Sequence, residues 1–139
     1  MKANINAILG LIYLGNQIIL QKGLNISTAR SSGINILRED DMKTGWIYIL
    51  TGPYDFDGDR GHVSLSFFNG NLNKISISLT RKNVSMEDLA EVHKQYLEQK
   101  LGPPDTQDRT AVRYLFQWGS IASSYDPRGG SSSIIISWS

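Results

Sequence analysis

The sequence predicts an α+β fold: an antiparallel sheet of about six to eight strands, with one long helix over about 86–101 and one short helix packed on it. Three observations predict it. Segments such as "HVSLSFF" and "LNKISISL" alternate apolar and polar residues with a period of two. The stretch from Met86 to Leu101 carries apolar residues at helical spacing, between a capping serine and Gly102-Pro103-Pro104. Gly-Asn and Asn-Gly dipeptides mark turns between apolar runs.

From the N-terminus, Leu11–Leu14 and Gln17–Leu20 read as a hairpin about a two-residue Gly15-Asn16 turn. Tyr13 then faces Ile18 and Leu11 faces Leu20, with the first strand beginning as early as Asn4. The same segment, "NAILGLIYLG", is too interrupted by Asn6 and glycines for a secretory h-region. In "GLNISTARSSG", Asn25 or Ser27 caps a helix of at most two turns that Gly33 ends. "NILREDDMKTG" is polar and reads as a surface crossing, Trp46–Leu50 as a strand, and "TGPYDFDGDRG" as an acidic loop.

The strand pair around Asn69-Gly70 has a register that can be argued. Val63, Leu65 and Phe67 must share a face with Ile75, Ile77 and Leu79, since a one-residue slip moves a whole apolar set to solvent. This predicts a three-residue connection or a glycine bulge in place of a tight two-residue turn.

The helix starts at Ser85. Asp88 completes a pair resembling a capping box, and Val84 and Leu89 occupy the staple positions. Leu89, Val92, His93, Tyr96, Leu97 and Lys100 form its stripe, which puts His93 partly buried in packing. The tail is β again, over Arg113–Trp118, Ser120–Tyr125 and Ser133–Trp138, with Gly119 as a bend. Ser64, Ser66, Ser76, Ser78 and Ser137 alternate with apolar residues and read as a wet outer face.

Composition limits the chemistry. The chain has 139 residues, 40% hydrophobic and 19% charged, which fits one globular domain over 1–139. It has no cysteine, which excludes disulfides, thiolate metal sites and a Cys nucleophile. A net charge of +1 with both signs interspersed gives no basic face for nucleic acid. No apolar run reaches the roughly 20 residues of a membrane helix, so the expected location is cytoplasmic.

Candidate sites are few. Asp55, Asp57 and Asp59 begin like a calcium loop, but the sixth position is Arg60 and the twelfth Ser66, where glycine and a bidentate acid belong. His62 and His93 lack a partner at metal or catalytic spacing, although His62 is close enough in sequence to pair with an aspartate. There is no GxSxG or SxxK serine. Asp126-Pro127-Arg128-Gly129 fits a type I turn, with an anion nest of glycine amides and Arg128 as the alternative.

"IYLGNQIILQKGLNISTARSS", "LSFFNGNLNKISISL", "LGPPD" and "FQWGSIASSYDPRGGSSSIIISW" together span most of the chain. In this combination the sequence resembles small bacterial proteins of the immunity-protein type, encoded near secreted toxins. The resemblance implies a non-enzymatic protein that binds and neutralises a cognate toxin, without catalytic residues, metal or cofactor. Its partner surface is expected among Tyr54, Asp55, Asp57, Asp59, Arg60, Tyr125 and Arg128. The alternative is an α+β domain that binds a small molecule or an ion.

Overall fold

The computed structural model describes residues 1–81, 84–126, 128 and 131–139, with Met86 and Glu87 described by their backbone alone. Strands β1 (Ala3–Asn6), β2 (Leu11–Leu14) and β3 (Ile18–Leu20) form a three-stranded antiparallel sheet in that order. Helix α1 (Ile26–Ser31) follows, then β4 (Ile36–Asp41), β5 (Trp46–Phe56), β6 (Asp59–Phe68) and β7 (Asn71–Thr80) run as a meander. Helix α2 (Met86–Leu101) leads to β8 (Thr106–Gln107), β9 (Ala111–Phe116), β10 (Gly119–Asp126) and β11 (Ser131–Trp138). The second sheet has the order β4-β5-β6-β7-β11-β10-β9-β8 and is antiparallel throughout.

Alternation decides how this sheet is used. Ile49, Leu65, Ile75, Ile136, Ile121 and Tyr114 are successive cross-strand partners, one row across six strands. Thr51, Val63, Ile77, Ile134, Ser123 and Val112 form the next row. Every residue in both rows is buried, and α2 packs over β7, β10 and β11. Ile12, Leu14, Ile18 and Leu20 of the small sheet join the same core. The opposite face carries Ser64, Ser76, Ser78 and Ser137 as expected, all half-buried, while Ser66 is buried between its neighbours.

The small sheet is anchored by two indoles. Trp118 Nε1 donates to the Ala7 carbonyl (2.8 Å) and Trp138 Nε1 to the Gly10 carbonyl (2.9 Å). Gly10 has φ +67° and lies flat against the Trp118 ring, so a Cβ there would collide with it.

The expected antiparallel sheet and two helices are present, and several details differ. The region near Asn4 is a separate strand, β1, so there are two sheets. The first hairpin pairs Ile12 with Leu20, Tyr13 with Ile19 and Leu14 with Ile18, across a three-residue Gly15-Asn16-Gln17 loop. The expected Tyr13–Ile18 register would have divided Ile12, Leu14, Ile18 and Leu20 between faces. The surface crossing at 35–45 contains edge strand β4, which pairs with β5. Most of the expected acidic loop is strand, because Tyr54 and Phe56 continue the alternation inward; the turn is only Asp57-Gly58.

At Asn69-Gly70 the apolar sets do share a face, with Val63 opposite Ile77 and Leu65 opposite Ile75. The device is different: a two-residue turn with positive φ at both residues, corrected by a bulge at Asn73. Trp118 lies in the β9–β10 turn, outside the strand predicted for it. Helix α1 is capped by the Asn25 side chain, which accepts from Ser27 N (2.8 Å), and packs at the β6–β7 turn, where Ile26 N donates to Gly70 O. Ser85 caps α2 by accepting from Asp88 N (3.2 Å), and its hydroxyl donates to the Asp88 carboxylate (3.0 Å). Lys100 leaves the buried stripe and pairs with Asp57.

Ile75→Ala is expected to cost about 2–5 kcal/mol in urea unfolding, and Ser76→Ala one position later less than about 0.5 kcal/mol. Equal losses would contradict the assignment of faces.

Candidate functional site

The residues expected to meet a partner lie at one end of the large sheet. The β5–β6 turn and the β10–β11 segment share that end because β6, β7 and β11 alternate in direction. Three strand spacings separate them, roughly 14 Å. Arg60 and Arg128 are exposed and Tyr125 is half-buried. Tyr54 does not belong to an exposed patch: it is 4% exposed and its hydroxyl is buried with no hydrogen-bond partner among the described residues. Burial raises its pKa. Asp126 Oδ1 accepts from Arg128 N (2.9 Å), as a turn-initiating aspartate does. The rest of the predicted type I turn, and the glycine nest, fall on Pro127, Gly129 and Gly130, outside the described residues.

The three loop carboxylates do not converge. Asp55 Oδ1 accepts from Gly58 N (2.6 Å), Asp57 pairs with Lys100, and Asp59 holds the Arg81 guanidinium in two hydrogen bonds (2.8 and 3.0 Å). A calcium ion requires these oxygens to face one point, and here each has a separate protein partner. Among the described residues no group of three or more His, Cys, Asp or Glu side chains is arranged to hold a metal.

His62 sits half-buried on the outer face opposite Ser78. His93 is fully buried, more deeply than its place on the stripe implied. Its ring fills a split in the large sheet. Leu79 and Ser132 would be the next partners on the same face beyond Ile77 and Ile134, but the β7–β11 ladder ends before them. Instead Leu79 N donates to His93 Nε2 (2.9 Å), and Ser132 Oγ lies 2.7 Å from Nδ1.

A serine within hydrogen-bonding distance of an imidazole has the outline of a nucleophile and its base. The tautomer rules this out. Nε2 accepts the amide hydrogen, so Nδ1 carries the proton and donates to Ser132; no lone pair is left to take the hydroxyl proton. Burial holds the imidazole pKa down at about 4, against the opposing pull of the Asp59 charge. The pair joins two strands and a helix.

Sequence reasoning missed a different feature. The β1–β2 turn carries Ile8 and Leu9, 88% and 61% exposed, held outward by the Trp118 and Trp138 hydrogen bonds. Beneath Ile8 opens a cleft of about 840 Å³, between β1, the end of α2 and the β9–β10 turn. Its walls include Ile5, Leu101, Pro103, Phe116 and Trp118, with Asn4, Lys100, Asp105 and Gln117 as polar groups. Leu115, 59% exposed, also lines it. The sequence carries one signal of it, the apolar pair Ile8-Leu9 just before Gly10, and that pair also continues the apolar pattern of the strand that follows.

His93 makes stability depend on pH. Above pH 6.5 the imidazole is neutral folded and unfolded. As pH falls toward 4 only the unfolded chain gains the proton, so folding loses about 3 kcal/mol over that window. In urea unfolding, the stability gap between wild type and His93→Gln is expected to shrink by about that amount between pH 7 and pH 4. A constant gap would show that the ring is not held neutral. Calcium is expected to leave Tm unchanged in a thermal-shift titration. No helix among the described residues is long and apolar enough to cross a membrane. No protein-family model, curated protein or solved structure matches the chain.

Proposed function

We propose that the protein is a non-enzymatic binding protein of the immunity type, acting in the cytoplasm, which neutralises a cognate toxin protein by covering its functional surface. The observation that carries this reading is the apolar surface at the cleft, formed by Ile8 and Leu115 of its lining and by Leu9 beside Ile8 in the same turn. Ile8, Leu9 and Leu115 are exposed, and their surroundings hold Ile8 and Leu9 in place. Large apolar side chains on a turn whose backbone is already hydrogen-bonded leave little backbone entropy to lose on binding and gain the full benefit of dehydration. Such residues form the centre of interfaces, ringed by polar groups such as Asn4, Lys100, Asp105 and Gln117. The Asp57, Asp59 and Arg60 end of the sheet is a second, charged surface that would add to association rate more than to affinity.

A second reading has one observation in its favour. A cleft of about 840 Å³ with apolar walls and a few polar groups also fits a small organic ligand.

Co-expression with the toxin gene adjacent to this one is expected to restore growth and give a complex that survives gel filtration. Ile8→Asp with Leu9→Asp should weaken that complex at least 10-fold, with Tm unchanged. Persistent toxicity with no complex would overturn the proposal. Full affinity of the double variant would remove the turn from the interface.

A further inference from the structure

We propose that the cleft beside Ile8 receives an extended, uncharged peptide segment of the partner, which adds to the open edge of β1 at Ile5; this deepens the binding reading above and rests on it for the site. Strand β1 is an outer strand of the small sheet. Gly15 N donates to Lys2 O (2.7 Å), so Lys2–Gly15, Asn4–Tyr13 and Asn6–Leu11 are the hydrogen-bonded pairs along β1 and β2. Ala3 and Ile5, in the alternate pairs, therefore turn their peptide groups away from β2. Before Ile5 this edge is closed: Asp55 N donates to Met1 O (2.8 Å), and Asp55 forms a parallel bridge with Lys2. After Ile5 it is closed again, where the Ala7 carbonyl accepts from Trp118 Nε1 (2.8 Å). Between the two, the outward N–H and C=O of Ile5 have no partner among the described residues. Ile5, Ala7 and Trp118 all line the cleft, so the open position of the edge faces into it.

The unmatched groups select the occupant. Lys100, the cation of the lining, pairs with Asp57, which leaves it no free charge for an anion. Asp105 Oδ2 accepts from Leu115 N (2.7 Å). What is left unmatched is one N–H and one C=O, spaced as a strand presents them. A residue in an extended peptide matches both at once, with its own C=O and N–H, and this is how a strand adds to a sheet edge.

Alternation sets the sequence of the guest. Ile5 lies opposite buried Ile12, so its side chain is on the core face, and Asn4 and Asn6 are on the other. A guest residue paired with Ile5 places its side chain on the core face as well. Ile5, Leu101, Phe116 and Trp118 line the cleft and pack against the core, so that side chain is apolar. The residues before and after it fall on the face of Asn4 and Asn6 and are polar. A single open position gives a small contact, so the peptide by itself binds weakly.

Calorimetric titration of the full chain with the blocked peptides acetyl-Ser-Thr-X-Thr-Ser-amide, where X is leucine, valine or phenylalanine, tests this. At least one is expected to bind with a Kd of about 1 mM or lower. Methylating the amide nitrogen of X removes the hydrogen bond to the Ile5 carbonyl and should weaken binding about 10-fold or more. Aspartate at X should weaken it as much, by placing a charge on the core face. Hydrogen exchange at the Ile5 amide should slow at saturating peptide. Binding by none of the three, an N-methyl or aspartate peptide that binds like its parent, or unchanged Ile5 exchange would each overturn the proposal. These outcomes are separable from those of the toxin test. A toxin complex that forms while no peptide binds removes the strand edge and keeps the immunity reading, and peptide binding without any toxin complex keeps the edge and removes the toxin.

Discussion

The structure depends on the in-register alignment of apolar rows across the large sheet. From β5 to β9, six strands place one side chain each at the same level, and each is buried. Because strand side chains alternate, keeping a row intact requires every hairpin to have the correct parity. The β6–β7 hairpin shows how strong the requirement is. Its tight turn alone would have offset the rows, and a bulge at Asn73 restores them. The first hairpin obeys the same rule with a three-residue loop, which keeps Ile12, Leu14, Ile18 and Leu20 together. In both, turn chemistry yields to burial, since exposing several Ile or Leu side chains costs more than an irregular loop.

Two polar devices complete the apolar design. Where β7 and β11 part, the imidazole of His93 connects Leu79 to Ser132 and so joins α2 to both strands. An unpaired Leu79 amide in that split would be costly in the interior, and a neutral histidine accepts from it at Nε2 while Nδ1 donates to the Ser132 hydroxyl. At the other junction the Trp118 and Trp138 indoles bind carbonyls of the β1–β2 turn. Each combines a large apolar body with one donor, which lets it pack in the core and hold a turn at the surface.

The proposed binding role rests on these features. The histidine that contacts a serine is held in the tautomer that cannot accept its proton, and the aspartates of the β5–β6 turn have separate partners. Among the groups that reach solvent are an apolar turn beside a cleft and a charged sheet end. Both are carried by short turns between paired strands, so they are displayed with little freedom. Recognition by shape would gain from that order, because a turn whose backbone is already fixed loses less entropy on contact.

The sequence by itself determined the α+β class, the helix from Ser85 to Gly102, the Asn25 cap and the face on which Val63, Leu65, Ile75 and Ile77 meet. All of these rest on local spacing or on a cap within four residues, and local spacing is written in the chain. Tertiary structure alone decided that β1 is separate, that "ILREDD" is an edge strand, and that Tyr54 turns inward. It also decided that Ile8 and Leu9 stand exposed and that His93 closes a gap between strands far apart in sequence. Each of these depends on which distant segment supplies a hydrogen-bond partner or a covering surface. No periodicity within a segment encodes that choice, because it is made only when the segments pack.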